Sequence, residues 1–449
     1  MSTLRASRQR REIIRLAVPA FLALVAEPLF LLADSAIVGH LGTTPLAGLG
    51  VASAVLLTAA GIFVFLAYAT TSVVARQLGA GSPSGAIGAG LDGLWLALLT
   101  GAATGVLVGV LASPLSAAFG ASEAAHEQAV TYLRISALGI PGMLVILAVT
   151  GVLRGLQDTR TPLIVSVLGF GANVALNLLL VFGLHWGIAG SAWGTVIAQT
   201  GMAMALSAVL VRGARRLSAP RRPHPRRILR AGVGGLPLLV RTLALRAVLL
   251  LTTWAAAGLG DSGLAAHQVT MTVWSFLVFA LDALAIAAQA MTGRSLGAGD
   301  WRGARETTRT MVQWGCVAGV VLGVALMLGR WPIARAFTAD PQVAGAIALA
   351  LVVVALGQPL AGYVFVVDGV LIGAGDGRWL AAAMTLTLAL YVPAVSLARS
   401  AGGAAMRAGM VDLALRDLWV AFTVFMLIRG ATLWWRLRGS GWVVTGATR

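Results

Sequence analysis

Long apolar runs dominate this amino-acid sequence and constrain its fold more than any other feature. Stretches of twenty or more apolar residues recur from end to end of the 449-residue chain, and such a stretch is long enough for a helix to cross a bilayer. Only 11% of the residues are charged, against about 25% in soluble globular proteins. The sequence therefore predicts an all-α polytopic membrane protein.

We expect twelve transmembrane helices from these runs. Several runs exceed the roughly 20 residues that a straight crossing needs, so we expect those helices to be tilted or bent. The predicted spans are residues 12–38, 45–76, 86–112, 126–153, 162–184, 188–211, 231–258, 263–293, 306–329, 343–371, 379–398 and 413–435.

The formal net charge of +17 comes from arginine, since all 33 basic residues are Arg. They cluster in short segments between apolar runs, as the positive-inside rule predicts for cytoplasmic loops, so we expect no nucleic-acid partner. The segment "RGARRLSAPRRPHPRR" at 212–227 is both basic and rich in Pro, which indicates a cytoplasmic linker. We therefore expect a multi-pass protein of the cell (inner or plasma) membrane with both termini in the cytoplasm.

The two halves of the chain repeat each other at a constant offset of 218 residues. "VARQLGAG" at 74–81 returns as "TGRSLGAG" at 292–299, and "GVLRGLQDTR" at 151–160 returns as "GVLIGAGDGR" at 369–378. Prolines recur at the same offset in three pairs: Pro19 and Pro237, Pro114 and Pro332, Pro141 and Pro359. One ungapped offset across several loops indicates the duplication of a six-helix unit.

An even number of helices per unit makes the two repeats parallel, because both begin on the same side of the membrane. We expect an N-lobe at residues 1–211, a linker at 212–228 and a C-lobe at 229–449. Two parallel bundles around a central cavity suit a secondary transporter that binds its substrate near the bilayer midplane. The sequence contains no GxxxxGK[ST] motif that would suggest ATP hydrolysis.

Two acids, Glu27 and Asp34, lie in the first apolar run "FLALVAEPLFLLADSAIVGHLG". Seven residues are nearly two helical turns, so both side chains project from one face of the helix. A charge inside a bilayer is costly, and ionisable residues there are functional candidates by default. Desolvation also favours the neutral form of a carboxyl group, which suits reversible protonation. The alternative for each acid is a structural role.

Polar residues in the fifth and sixth spans are candidate partners of Asp34. Asn173 and Asn177 are four residues apart and share a helix face, and Thr195 can add a hydroxyl. Carboxylate, amide and hydroxyl oxygens together can also hold a hard cation such as Na⁺. Amides in apolar helices otherwise join neighbouring helices.

The second half carries a different set of charges. Arg241 and Arg246 lie in the seventh span, Asp282 in the eighth and Asp368 in the tenth. Two Arg and two Asp in one bundle are most simply ion pairs that neutralise each other. A role in the substrate cavity or in gating is the alternative.

Pro19 lies fifteen residues before Asp34 and can kink the first helix, with an ordinary helix-start proline as the alternative. The motif "GAGD" at 373–376 fits intramembrane aspartyl proteases, but the repeat places Asp376 opposite Asp158 at the end of a span. We therefore assign the two acids a structural role and expect no enzymatic activity.

Several of these segments together resemble the MATE (multidrug and toxic compound extrusion) family, in its DinF-like branch. They are "LADSAIVGHLG", the repeated "LGAG", "RTLALR", "LAAHQ", "LDALAIAAQA" and "DGVLIGAGDGR". The resemblance runs from about residue 10 to residue 437. It implies a V-shaped, twelve-helix transporter of two lobes that exports cationic or amphiphilic compounds in exchange for H⁺ or Na⁺.

The resemblance also implies roles for individual residues. The cation site of the family's N-lobe corresponds to Asp34, Asn173, Asn177 and Thr195, and Pro19 corresponds to its bending proline. Some relatives carry a second Asp at the position of Asn177. The acidic pair that NorM-like members use in helix seven has no counterpart here, which favours coupling through the N-lobe.

We expect an H⁺-coupled antiporter, with Na⁺ as the alternative coupling ion, in which protonation of Asp34 releases the substrate. No cofactor and no resident metal are expected, and the partners are a small-molecule substrate and the lipid bilayer, with the protein as a monomer. The alternatives are a lipid-linked-precursor flippase and an uncoupled channel. Flippases of this superfamily generally have about two more helices, whereas Arg241 and Arg246 agree with their cationic cavity.

Overall fold

The computed structural model describes residues 2–220 and 222–448, with side chains from residue 9 onwards. Within these residues the chain is helical and contains no β-strand, as expected where lipid offers the backbone no hydrogen-bond partners. The helices are α1 Ser2–Gly39, α2 Thr43–Phe63, α3 Phe65–Gly79, α4 Pro83–Val110, α5 Ala112–Ala117, α6 Glu123–Ala137, α7 Ile140–Gly155, α8 Arg160–Leu178, α9 Gly187–Arg216, α10 Pro225–Ala257, α11 Gly260–Gly297, α12 Trp301–Phe337, α13 Pro341–Gly373, α14 Gly377–Arg407 and α15 Val411–Arg438.

The helices agree with twelve membrane crossings. In the described part of the chain, ten helical segments are long and apolar enough to span a bilayer, and α6 with α7, bent by 53°, makes an eleventh. Helix α15 is 28 residues long and packs against α13 and α14. Five of its six charged residues lie within seven residues of its ends, so its central run carries Arg429 as its single charge. Counting α15, the twelve-helix expectation is consistent with the structure.

The 218-residue offset recurs in the helix boundaries, so the two halves share one architecture. The helix ends that lie 218 positions apart are Gly39 and Ala257, Gly79 and Gly297, Pro83 and Trp301, Glu123 and Pro341, and Gly155 and Gly373. In the N-lobe, a π-helical turn at Leu179–Gly183 also extends α8. The second and fourth spans of the N-lobe are interrupted near Val64 and Gly139, whereas their counterparts α11 and α13 are continuous.

The predicted linker is mostly helical at both ends. Helix α9 continues to Arg216 and α10 begins at Pro225, so the described non-helical residues within the predicted 212–228 are 217–220 and 222–224. Arg221 lies outside the described residues. The side of the membrane that carries this segment is called the linker side below.

The lobes are closed against each other on the linker side. There the ends of α3 and α11 cross so closely that a Cβ atom at Gly79 would collide with the carbonyl of Arg294, and one at Gly297 with the carbonyl of Arg76. The Oγ of Ser72 donates to the Gly373 carbonyl at 3.3 Å. The "LGAG" repeat therefore supplies the two glycines that let equivalent helices touch across the pseudo-two-fold axis.

Candidate functional site

A buried carboxylate lies at the centre of the N-lobe. Asp34 of α1 is only 4% exposed, and three side chains from three other helices donate to it. Its Oδ1 accepts from Asn177 Nδ2 at 2.8 Å and from Ser191 Oγ at 2.6 Å. Its Oδ2 accepts from Tyr132 Oη at 3.3 Å. These donors offset the desolvation of the charged carboxylate.

The polar network continues from Asp34 through α8 to α9. Asn177 Nδ2 also donates to Asn173 Oδ1 at 3.0 Å, because the two residues lie one turn apart on one face of α8. Asn173 Nδ2 donates to Thr195 Oγ1 at 3.1 Å. The structure thus brings Asp34, Asn173, Asn177 and Thr195 together in one buried network.

Two members of this network were absent from the sequence prediction. Ser191 lies four residues before Thr195 and shares its face of α9, so helical spacing could have indicated it. Tyr132 comes from α6, which carried no polar candidate, and no sequence spacing connects it to Asp34. The hydroxyl groups of both residues can donate a hydrogen bond and can also accept one.

One oxygen of the network has no partner among the described residues. Asn177 Oδ1 is buried without a hydrogen bond, and a Cβ atom at Gly194 would collide with it. A buried acceptor of this kind is costly unless something donates to it or binds it. This oxygen is therefore an acceptor of the network that no described side chain satisfies.

Pro19 lies inside α1 rather than at its start. Proline has no backbone N–H, so the carbonyl four residues earlier, that of Arg15, loses its helical donor. The Oγ1 of Thr159 supplies a hydrogen bond to that carbonyl at 3.4 Å. Pro19 therefore removes one backbone hydrogen bond from α1, and Thr159 of the α7–α8 loop replaces it with a side-chain hydrogen bond.

Glu27 has surroundings unlike those of Asp34. Its side chain is exposed, whereas that of Asp34 is buried. It makes no hydrogen bond or ion pair with a described residue. Arg154 of α7 is the charged group that interacts with it electrostatically. The shared helix face of the two acids thus does not give them a shared environment.

In the C-lobe a single acid holds two arginines. Asp368 of α13 forms an ion pair with Arg241 of α10 and a second ion pair with Arg429 of α15. In the second pair, Arg429 Nη2 and Asp368 Oδ2 are 3.0 Å apart. All three side chains are at most 6% exposed. The guanidinium of Arg241 also lies 5.7 Å from the ring centroid of Tyr68 in the N-lobe. Arg429 was missed in the sequence, although it interrupts the last apolar span.

The other two charges of the predicted C-lobe set do not join this cluster. Asp282 of α11 is half-buried and makes no hydrogen bond with a described residue, and Arg154 of the N-lobe is the charged group that acts on it most strongly. Arg246 is exposed, and its guanidinium lies against Gly61 of α2. The expectation of ion pairs among these four residues is therefore confirmed for Arg241 and Asp368 and wrong for Arg246 and Asp282.

Asp376 of the protease-like motif and its repeat equivalent Asp158 lie at helix ends. Asp376 pairs with Arg436, with Nε and Oδ2 2.6 Å apart. Asp158 accepts from the backbone N–H groups of Arg160 and Thr161 at 3.1 and 3.0 Å, at the start of α8. Both acids therefore have structural partners on the linker side.

The N-lobe network has a neutral counterpart in the C-lobe. The repeat offset relates Asp34 to Thr252 and Asn173 to Tyr391. The hydroxyl groups of Thr252 and Tyr391 lie 2.7 Å apart, and both residues are fully buried. A carboxylate at this position of the repeat is thus a property of the N-lobe rather than of the repeated unit.

A protein-family model and curated relatives match most of the chain. The MatE family model matches residues 19–179 and 237–396, two segments that begin 218 positions apart. Protein DETOXIFICATION 44, chloroplastic, of Arabidopsis thaliana is 31% identical over 438 residues, which cover 95% of this chain and 82% of the relative. DNA damage-inducible protein F of Escherichia coli is 28% identical over 426 residues, covering 93% and 90%.

Solved structures share the fold. The Vibrio cholerae MATE transporter VcmN in its bent form aligns with a TM-score of 0.85 and 22% identity, over 96% of this chain and 97% of that one. An outward-facing MATE family transporter of the MOP superfamily aligns with a TM-score of 0.80 over 97% of this chain and 96% of that one, at 21% identity. At these identities the comparison supports the architecture of two repeated lobes.

Proposed function

The chain belongs to the MATE family of multidrug and toxic compound efflux transporters, and from this premise we propose that it is an H⁺-coupled antiporter. In this proposal a proton entering from the side opposite the linker binds Asp34 and drives release of a cationic or amphiphilic substrate. The single observation that carries the proposal is the buried carboxylate of Asp34 with three side-chain donors.

Protonation of Asp34 changes only part of its network. A protonated carboxyl keeps one oxygen as an acceptor and gains one O–H donor. Oδ1 can continue to accept from Asn177 and Ser191, so Oδ2 is the oxygen that takes the proton. The hydroxyl of Tyr132 then accepts from Oδ2 instead of donating to it. The site thus holds either protonation state without leaving a carboxyl oxygen unpaired.

Movement of α1 would carry the effect of protonation to the cavity. Pro19 lies about 22 Å from Asp34 along the helix axis at 1.5 Å per residue. Glu27 lies between them, and its side chain is exposed. A bend at Pro19 would move Glu27 relative to Arg154, the charge acting on it. We assign the substrate to the central cavity between the two lobes. The candidate contacts or gating groups there are Glu27, Arg241, Arg246, Asp282 and Asp368.

Na⁺ is the second candidate for the coupling ion. The unpartnered Oδ1 of Asn177 supports it, because a hard cation would use this oxygen together with those of Asp34 and Thr195. The proton is favoured because Asp34 is the one carboxylate in contact with this network among the described residues.

A cationic cavity of the flippase type has less support. Of the three arginines Arg241, Arg429 and Arg154, Asp368 pairs with the first two. Asp282 and Glu27 act on the third. The charges therefore offset one another, which suits amphiphilic substrates better than a polyanionic headgroup.

We place the protein in the cell membrane as a monomer, with the linker side and both termini in the cytoplasm. Its two lobes, 1–211 and 229–449, would move as units about the 212–228 segment. Cys316 is the single cysteine of the chain, so replacing Ser218 by Cys in a Cys316→Ala background tests the orientation. A membrane-impermeant maleimide should leave that cysteine unlabelled in intact cells and label it after lysis.

Reconstituted transport tests the coupling. Purified protein in liposomes is given a pH gradient or a Na⁺ gradient separately, and efflux of a cationic dye is measured. The pH gradient alone should drive the wild type. Asp34→Asn should abolish the response, and Pro19→Ala should slow it while dye binding persists. Glu127→Gln, at an exposed acid on α6 without a described partner, is the matched control. Dye flux without either gradient would instead indicate a channel.

A further inference from the structure

The linker side carries two grooves that the internal repeat relates to each other. One groove, of 630 Å³, lies between α3, α4 and α10, and is called the α4–α10 groove. The other, of 510 Å³, lies between α1, α11 and α12, and is called the α1–α12 groove. Of the eleven residues lining the α1–α12 groove, nine lie 218 positions from a residue lining the α4–α10 groove. The two grooves therefore differ by sequence rather than by architecture.

The two grooves have opposite charge character at equivalent positions. Basic or neutral residues of the α4–α10 groove replace polar or acidic residues of the α1–α12 groove. The equivalent pairs are Arg227 and Gln9, Arg230 and Glu12, and Gly88 and Glu306. The duplicated scaffold thus provides one groove suited to an anion and one that disfavours it.

One cation of the α4–α10 groove is left without an acid. Asp92 lines the groove and pairs with Arg227, with Oδ2 and Nε 2.9 Å apart. Arg230 is exposed and makes no ion pair or hydrogen bond with a described residue. In the α1–α12 groove, by contrast, Glu12 lies 3.7 Å from Arg294 and accepts from Gln157 at 3.2 Å.

The α4–α10 groove is also deep and apolar at its inner end. It extends along α4 from Ser84, near the helix start, to Leu96, which is about 18 Å at 1.5 Å per residue. Phe65 and Leu238 lie at that inner end. This depth exceeds the roughly 15 Å of one leaflet's hydrocarbon core, so the groove can hold an acyl chain.

We propose that the α4–α10 groove binds an anionic phospholipid of the linker-side leaflet. Its phosphate-bearing headgroup lies at Arg230 and beside Arg227, and one acyl chain runs inward against Phe65, Leu96 and Leu238. Basic pockets between transmembrane helices are known to hold anionic headgroups. Helix α4 belongs to the N-lobe and α10 to the C-lobe, so the lipid would contact both lobes.

Lipid binding to the intact protein tests this proposal independently of transport. Detergent-solubilised protein is titrated with dioleoyl phosphatidylglycerol or dioleoyl phosphatidylcholine, and bound lipids are counted by native mass spectrometry. The first lipid bound should be phosphatidylglycerol. Its affinity should be about fivefold higher than that of phosphatidylcholine, because Arg230 has no acidic partner among the described residues. Arg230→Gln should remove that preference and leave phosphatidylcholine binding unchanged.

A second variant tests the acyl-chain part of the groove. Gly234 of α10 lines the groove, and a Cβ atom there would meet nothing within 4 Å. Gly234→Leu should therefore fill the groove and lower binding of both lipids at least fivefold. Gly201→Leu on α9, where a Cβ atom also meets nothing within 4 Å, is the matched control. Glu12→Gln in the α1–α12 groove is the second control.

Three results would overturn the proposal. They are equal affinity of the wild type for the two lipids, unchanged preference in Arg230→Gln, and competition by glycerophosphoglycerol at the concentrations at which the whole lipid binds. The last result would identify a soluble-anion site without a role for the acyl chain. Size-exclusion chromatography monitors the fold, and the Arg230→Gln comparison stands even if Gly234→Leu does not fold.

Discussion

The hydroxyl groups of Thr252 and Tyr391 lie 2.7 Å apart in the C-lobe, at the positions that the repeat relates to Asp34 and Asn173. A buried pair of hydroxyl groups satisfies itself with hydrogen bonds and carries no charge at physiological pH. The same place in the N-lobe holds a carboxylate. The duplicated scaffold is therefore chemically asymmetric, with one lobe able to titrate there and the other not.

Removing the hydroxyl of Tyr391 should affect stability rather than coupling. Thr252 Oγ1 also donates to the Val248 carbonyl at 2.8 Å and keeps that bond in Tyr391→Phe. The loss should be about 1 kcal/mol of unfolding free energy, with transport driven by the pH gradient unchanged. Thermal unfolding in detergent and reconstituted efflux measure the two quantities. Loss of H⁺ coupling in a stable variant would show that the C-lobe takes part.

Removing a donor to Asp34 should move the pH dependence of transport. The bond from Ser191 Oγ at 2.6 Å favours the charged carboxylate. Without it, Asp34 binds a proton at higher pH, so in Ser191→Ala the external pH of half-maximal efflux should rise by about one unit, corresponding to about 1.4 kcal/mol. Tyr132→Phe should act in the same direction but less, because its bond is 3.3 Å long.

Ser136 supplies the control for this pH measurement. Its Oγ is buried without a described partner in the same lobe, so Ser136→Ala should leave the pH profile unchanged. A profile of Ser191→Ala that coincided with that of Ser136→Ala would contradict the role assigned to the Asp34 network.

How much of this site the sequence could predict depends on the kind of signal. Asn173 and Asn177 were accessible because helical periodicity fixes which residues share a face. Ser191 carried the same signal and was overlooked. Tyr132 could not be found, because its contact with Asp34 depends on how α6 packs against α1, and one sequence contains no information on that packing. The helix boundaries, in contrast, followed the 218-residue repeat closely.

The ion pairs of the C-lobe could be predicted from the sequence only in part. Counting charges predicted ion pairs among Arg241, Arg246, Asp282 and Asp368, but partner choice depends on which helix faces meet. Arg246 lies five residues after Arg241, which turns it away from Asp368 and toward α2. Arg429 was visible as a lone charge in the last span, although nothing in the sequence indicated that it would reach Asp368.

Neutralising Asp368 should destabilise the C-lobe strongly. Asp368→Asn leaves Arg241 and Arg429 buried with no carboxylate between them, and breaking a buried ion pair from one side costs about 3–5 kcal/mol. Asp282→Asn removes an acid of the same helix bundle that makes no described hydrogen bond, and it should cost much less. Thermal unfolding in detergent compares the two variants, and equal stability would refute the assigned pairing.

A side chain at Gly79 should hold the lobes apart on the linker side. The added methyl of Gly79→Ala would meet the backbone of Arg294, which cannot give way as a flexible side chain can. Spin labels at Ser84 and Arg302, in a Cys316→Ala background, should report longer distances between the lobes. Transport should fall about tenfold if this barrier to closure reaches 1.4 kcal/mol.

Gly50 is the matched control for this closure experiment. A Cβ atom at Gly50 meets nothing within 4 Å, so Gly50→Ala should leave both the distances and the transport rate unchanged. Unaltered distances in Gly79→Ala would mean that the contact between α3 and α11 does not limit closure.

The most direct test of the account is dye efflux by reconstituted Asp34→Asn protein under a pH gradient imposed without Na⁺. Asparagine preserves the size of the side chain but cannot bind or release a proton. The wild type should respond to the gradient, Glu127→Gln should respond equally, and Asp34→Asn should not respond while remaining folded. Full gradient-driven efflux by Asp34→Asn would contradict it.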